Sequence, residues 1–122
     1  MKIEGRIHAP RFSDEIKKKM IEDLVGKLVD YEFNDNIILG SVIDAYLKDD
    51  EIWGDIDFND KYTEYVEKGL KDGSLGYSIG YIKYSDKDGN IKKIIPRQVA
   101  ILPREMIPTP ECTECKIKGD DE

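Results

Sequence analysis

LKDGSLGYSIGY, residues 70–81, is the stretch that decides the fold of this chain of 122 residues. Its first residues complete a helix that Gly73 ends, and residues 76–84 then continue as a β-strand. Alternate side chains of such a strand point to opposite faces, so two tyrosines and an isoleucine lie on one face and two glycines with Ser78 on the other. The face with Ser78 is nearly bare, which suits either a nucleophile or close packing of another backbone.

The rest of the chain continues this pattern of strands and helices. Alternating or β-branched residues predict strands at 2–8, 28–33, 36–47, 51–58, 76–84, 91–95 and 99–102. One helix is predicted from the N-cap Ser13 to Gly26, and Asn59 or Asp60 caps a second, whose apolar stripe is Tyr62, Tyr65, Val66 and Leu70. Pro96 is expected to end or bulge its strand. This order predicts a mainly β (α+β) fold, a small, mostly antiparallel sheet or barrel with two helices.

Composition limits the classes of partner. The length indicates one domain, residues 1–110, followed by a polar tail at 111–122. The net charge of −7 argues against unspecific nucleic-acid binding, because phosphate contacts need clustered lysine and arginine. No apolar run approaches the roughly 20 residues that span a membrane. The short, charged N-terminus does not read as a secretory signal, so we expect an intracellular protein that binds neither nucleic acid nor membrane.

Few residues suit a metal or a cofactor. Cys112 and Cys115 form a Cys-x-x-Cys pair, which supplies only half of a four-ligand structural zinc site, so two free thiols are the leading interpretation. A local disulfide, or a metal shared between subunits, remains the alternative. Asp55 and Asp57 share one strand face and could bind a hard cation, although a solvated strand face is the simpler interpretation. No cofactor and no metal are expected.

Several segments together carry a family resemblance. GKLV at 26–29, ILGSV at 38–42, the hairpin that contains Trp53, and residues 73–81 occur in the order found in tailed-virus prohead (head-maturation) serine proteases. The chain resembles these proteases and related phage head-module proteins over roughly residues 1–110. The resemblance implies a small antiparallel β-barrel of the viral prohead-protease type.

The resemblance also implies roles for individual residues. Ser78 falls on the nucleophile, and the position of the general base falls on Phe33, which cannot transfer a proton. A serine hydroxyl needs a positioned base, so the catalytic histidine is missing from its expected place. The only histidine, His8, or an acid near Asp35 could substitute, while Glu32 and Asn34 would point away. Glu105 is the nearest candidate for the third catalytic residue.

Three functions follow as expectations. The first is a viral or proviral head-assembly protein that is catalytically inactive and binds capsid or scaffold subunits or a second copy of itself, in the host cytoplasm or the virion. The second is an active serine endopeptidase that processes capsid or scaffold proteins. The third is a small β-barrel module of viral origin that binds a ligand or protein. The aromatic residues that could anchor an interface are Tyr31, Phe33, Tyr46, Trp53, Tyr62, Tyr65, Tyr77, Tyr81 and Tyr84.

Overall fold

The structure is a computed structural model that describes residues 2–59 and 63–107. Six strands and two helices form its framework. The strands are β1 (Lys2–His8), β2 (Leu28–Tyr31), β3 (Asn34–Lys48), β4 (Glu51–Phe58), β5 (Leu75–Ser85) and β6 (Ile91–Pro103). The helices are α1 (Asp14–Leu24) and α2 (Thr63–Asp72), and one turn of 3-10 helix, Arg104–Met106, follows β6. The fold is therefore mainly β with two helices, as the sequence predicts.

The six strands close into a barrel in the order β1-β4-β3-β2-β6-β5. Four of the neighbouring pairs are antiparallel, namely β1–β4, β3–β4, β2–β3 and β5–β6. The other two, β1–β5 and β2–β6, are parallel. The expectation of an antiparallel barrel is therefore corrected at these two places. Each of the two parallel pairs joins strands that are distant in sequence, so local turn signals do not reveal them.

One face of each strand fills the barrel. Ile3 and Ile7 are buried as predicted, and they belong to one apolar cluster that also contains Met20 and Leu24 of α1 and Val66 and Leu70 of α2. The Tyr77 ring stacks on Phe58 with 6.4 Å between centroids, and its hydroxyl donates to the carbonyl of Ile3 at 3.2 Å. Tyr77 therefore points inward. Because side chains alternate along β5, Ser78 points to the outside of the barrel.

Three predicted details of the helices and strands are wrong. The strand predicted over 28–33 ends at Tyr31, because residues 32 and 33 form the turn before β3. The segment 99–102 is not a separate strand, because β6 runs without a break from Ile91 to Pro103 and passes Pro96 through a register shift beside Gly80 and Tyr81. Pro96 therefore bulges its strand and does not end it. Tyr65 belongs to the apolar stripe predicted for the second helix but is 59% exposed. Asp60 and Tyr62 lie outside the described residues.

The helix ends and one turn follow local rules. The Ser13 hydroxyl accepts the amide of Ile16 at 3.3 Å and caps α1, and Gly26 and Gly73 follow the two helices with positive φ. Glu32 and Phe33 form the two-residue turn between β2 and β3, with φ of 54° and 60°. Such values match a hairpin turn that normally uses asparagine and glycine. A bulky phenylalanine there is strained.

Candidate functional site

The outer face around Ser78 carries unusually short side chains. Ser78 pairs with Ala100 of β6, and Gly76 and Gly80 precede and follow it on the same face of β5. We call these four residues the small-residue strip. Ser78 is nevertheless only 6% exposed, so neighbouring groups cover the strip. The face of short side chains predicted from the sequence is therefore present, and other parts of the chain lie over it.

His8 is the titratable residue that pairs with Ser78 across the β1–β5 junction. The parallel pairing of β1 with β5 places His8 directly opposite Ser78, and both residues are buried. Neighbouring strands lie about 4.8 Å apart, and paired residues point to the same face, so the imidazole and the hydroxyl share the outside of the barrel. The histidine that is 70 positions away in sequence is thus brought to the adjacent strand.

Two contacts close the ends of the strip. A Cβ added to Gly76 would lie 2.6 Å from Cδ1 of Ile107, which packs with Ala100 and Leu102 in a second apolar cluster. A Cβ added to Gly80 would lie 2.7 Å from the Gln98 side-chain oxygen and 3.1 Å from Cε1 of Phe33. An alanine at either position would therefore displace the end of one of these side chains. Ser78 lies between an apolar cover and an aromatic ring.

Phe33 reaches this site from the turn between β2 and β3. Its ring extends past β6, which separates β2 from β5 in the barrel, and comes close to Gly80. The side chain remains 42% exposed. The residue to which the resemblance assigns the base position therefore lies beside the strand of the serine. In this chain that position offers an aromatic ring and no proton acceptor.

Asp30 is a buried acid on the same outer face. It pairs with Ala100 across the parallel β2–β6 junction, so it lies two strands, about 10 Å, from Ser78. It is only 1% exposed. Gln98 Nε2 donates to its Oδ2 at 3.4 Å, and no hydrogen-bond partner for Oδ1 occurs in the described part of the chain. Burial raises the pKa of the Asp30 carboxyl, and the nearby charge of Asp35 raises it further.

A groove of about 510 Å³ runs past Asp30 on this side of the barrel. We call it the Asp30 groove, and its lining includes Leu28, Asp30, Phe33, Asp35, Arg97 and Gln98. The groove shares Phe33 and Gln98 with the boundary of the small-residue strip. The strip and the groove are therefore adjacent parts of one surface.

The other predicted site residues are less central. Glu105 is exposed in the 3-10 turn after β6, two positions before the Ile107 that covers Gly76. Asp35 is exposed at the edge of the Asp30 groove. Cys112 and Cys115 lie outside the described residues, so their pairing and metal state stay predictions.

The strand face with Asp55 and Asp57, which the sequence offers as a possible cation site, contacts a tyrosine. The Tyr46 hydroxyl donates to the carboxylate of Glu4 and lies 3.3 Å from Oδ1 of Asp55. Within residues 2–59 and 63–107, no cluster of three or more potential metal ligands occurs. The Asp55–Asp57 face thus contains a tyrosine–carboxylate contact.

Asp30 is the candidate that inspection of the sequence missed. The substitutes for the base that the sequence suggests are His8 and an acid near Asp35, whereas Asp30 reaches the site through the parallel pairing of β2 with β6. One local signal was available, because an aspartate between Val29 and Tyr31 interrupts an otherwise apolar strand. Such a charge in the middle of a strand requires an explanation when both neighbours point into the barrel.

Comparisons with known proteins do not assign a family. No family model matches the chain, and no curated protein and no solved structure is similar to it. None of the helices in the described ranges is long and apolar enough to cross a membrane. The function must therefore be argued from the site.

Proposed function

We propose that this chain is a viral or proviral head-assembly protein that uses a barrel of the prohead-protease type for binding and not for proteolysis. The observation that carries the proposal is the location of Phe33. Its ring approaches Gly80, two residues from Ser78, in the place where the resemblance expects a histidine. Phenylalanine cannot take the proton of a serine hydroxyl, so the absence of a base at position 33 favours a binding role.

The outer face of the barrel offers suitable contacts for a protein partner. Phe33 is 42% exposed, and farther along the β5–β6 hairpin Ile82 and Tyr84 are exposed on the face that also carries Ser78. Exposed aromatic side chains are frequent anchors of protein interfaces. The partner we propose is a capsid or scaffold subunit, or a second copy of this chain.

Coexpression tests the binding role. The chain should copurify with the major capsid or scaffold protein encoded in the same genome, and Phe33→Ser should reduce the recovered partner about tenfold, as expected for loss of a 1.4 kcal/mol contact. The matched control is Met106→Ser, which changes another half-exposed apolar residue outside the barrel wall. A genome that encodes no head proteins, or equal recovery with both variants, would contradict the proposal.

A second candidate function has one specific observation in its favour. His8 pairs in register with Ser78, so a serine endopeptidase with His8 as general base is chemically reasonable. Purified protein would then lose mass by self-cleavage, and a fluorophosphonate probe would label Ser78. Ser78→Ala and His8→Gln should each abolish the label. Unlabelled wild-type protein that keeps its full mass for days would exclude this candidate.

A further inference from the structure

We propose that the Asp30 groove is a binding site for a guanidinium or ammonium group carried on an alkyl chain, with the free oxygen of Asp30 as its acceptor. The inference goes beyond the proposed function, since it requires neither a viral role nor an active Ser78. It begins from a carboxylate that is 1% exposed and whose Oδ1 has no hydrogen-bond partner in the described residues.

An acceptor of this kind is costly to bury. A buried polar atom without a partner costs about 1–3 kcal/mol, and a charged one costs more. The Gln98 amide reaches Oδ2 at 3.4 Å, which is long for a hydrogen bond, and the backbone amides of Phe33 and Asp30 also donate to the carboxyl. Oδ1 still has no partner with hydrogen-bond geometry in the described residues. A cationic N–H donor entering the groove would satisfy Oδ1 and neutralise the charge in one contact.

The lining of the groove selects the rest of the ligand. Leu28 and Phe33 are apolar and about half exposed, so they can contact an alkyl stem, and the phenylalanine ring can also attract a cation. Asp35 adds a second negative charge near Asp30 and raises the pKa of its carboxyl. Lys27 and Arg97 line the groove too, so the preference for a cation rests on the buried carboxyl of Asp30 and not on the net charge of the lining. A lysine or arginine side chain has the required shape and charge.

The test is an NMR titration of the wild-type chain with two matched peptides. Each is a blocked pentapeptide of alanines with arginine or the uncharged isostere citrulline in the middle. We expect the arginine peptide to shift the amide signals of Phe33 and Gln98 and to bind at least about tenfold more tightly than the citrulline peptide. Butylguanidinium, which carries a single charge on an alkyl chain, distinguishes the sources: equal affinity identifies a small cation as sufficient, and weaker affinity identifies a polypeptide ligand.

Two variants test whether Asp30 is the residue that binds the arginine peptide. Asp30→Asn should weaken arginine-peptide binding about tenfold or more, while Asp88→Asn, the same charge change at the far turn of the β5–β6 hairpin, should leave it unchanged. Equal shifts with arginine and citrulline in the wild-type chain would overturn the proposal without any variant. It is also overturned if Asp30→Asn, with a well-dispersed spectrum, binds as tightly as the wild type, or if sulfate gives the same shifts.

Discussion

Replacing Asp30 with asparagine should make the fold more stable at neutral pH, although most substitutions of buried residues do the opposite. The wild-type carboxylate is buried with one oxygen unpaired. Asparagine has the same shape, keeps an oxygen that can accept from Gln98, and carries no charge. Because an unsatisfied buried polar atom costs about 1–3 kcal/mol and the new amide nitrogen also lacks an acceptor, we expect a gain near the lower end, about 1 kcal/mol.

The dependence of this gain on pH follows from the direction of the pKa shift. Burial raises the pKa of the folded Asp30 carboxyl above the unfolded value of about 3.9. The stability contributed by the protonated acid is therefore fully present below the unfolded pKa and is lost as the pH rises through the folded pKa. Asparagine does not titrate, so its advantage should be absent near pH 3 and largest at neutral pH.

Urea denaturation at acidic and neutral pH measures the effect, with the fluorescence of Trp53, the single tryptophan, as the signal. The charged groups that line the groove with Asp30 are Lys27, Asp35 and Arg97, and of these only Asp35 is a second carboxyl. Asp35→Asn is the control for its contribution. The argument is refuted if the free energy of unfolding of Asp30→Asn differs from that of the wild type by the same amount at every pH. It is also refuted if the variant is less stable than the wild type at neutral pH.

Three further predictions concern other parts of the barrel. Gly40→Ala should destabilise the fold by about 2–3 kcal/mol in urea denaturation, since the new Cβ would overlap the backbone of β4, and wild-type stability would contradict this close approach. In a spectrophotometric titration of the folded protein, three of the seven tyrosines should remain neutral at about pH 11, and simultaneous ionisation of all seven near pH 10 would contradict it. A hydrogen bond to Tyr65 raises the pKa of Tyr31 to about 12, and burial raises the pKa values of Tyr46 and Tyr77. Phe33→His should create fluorophosphonate labelling that Ser78→Ala removes, and an unlabelled variant would show that position 33 is not a base position.

Most strands and both helices could be predicted from the sequence because their signals are local. Alternation marks β1 and β4, Ser13 and Gly26 mark the ends of α1, and Asp49-Asp50 marks a turn in which both residues have positive φ. The bulge at Pro96 is harder to predict from the sequence, because it depends on a shift in the pairing of β6 with β5. Tyr65 fits the helical stripe by spacing, but its hydroxyl instead meets Tyr31 at 3.5 Å near the surface.

The site could be predicted only in part. Ser78 on a bare strand face is visible in the spacing of its glycines. The neighbourhood of Ser78 depends on the two parallel pairings, which bring His8 to one side and Ala100 with Asp30 to the other. Such pairings join strands far apart in sequence and leave no turn motif between them. Burial of Asp30 likewise follows from how β2 and β6 pack, and a single sequence does not contain that information directly.

The β1–β5 junction closes the barrel with only two paired positions, Ile7 with Tyr77 and His8 with Ser78, whereas β5 and β6 share eleven. Short pairings open at lower free energy than long ones. Thermal opening of the barrel should therefore begin at this seam, and amide hydrogen exchange should be faster there than along the β5–β6 ladder. A partner that contacted both β1 and β5 would oppose the separation of these two strands. Binding at the face that carries Ser78 would therefore also stabilise the closed barrel against unfolding.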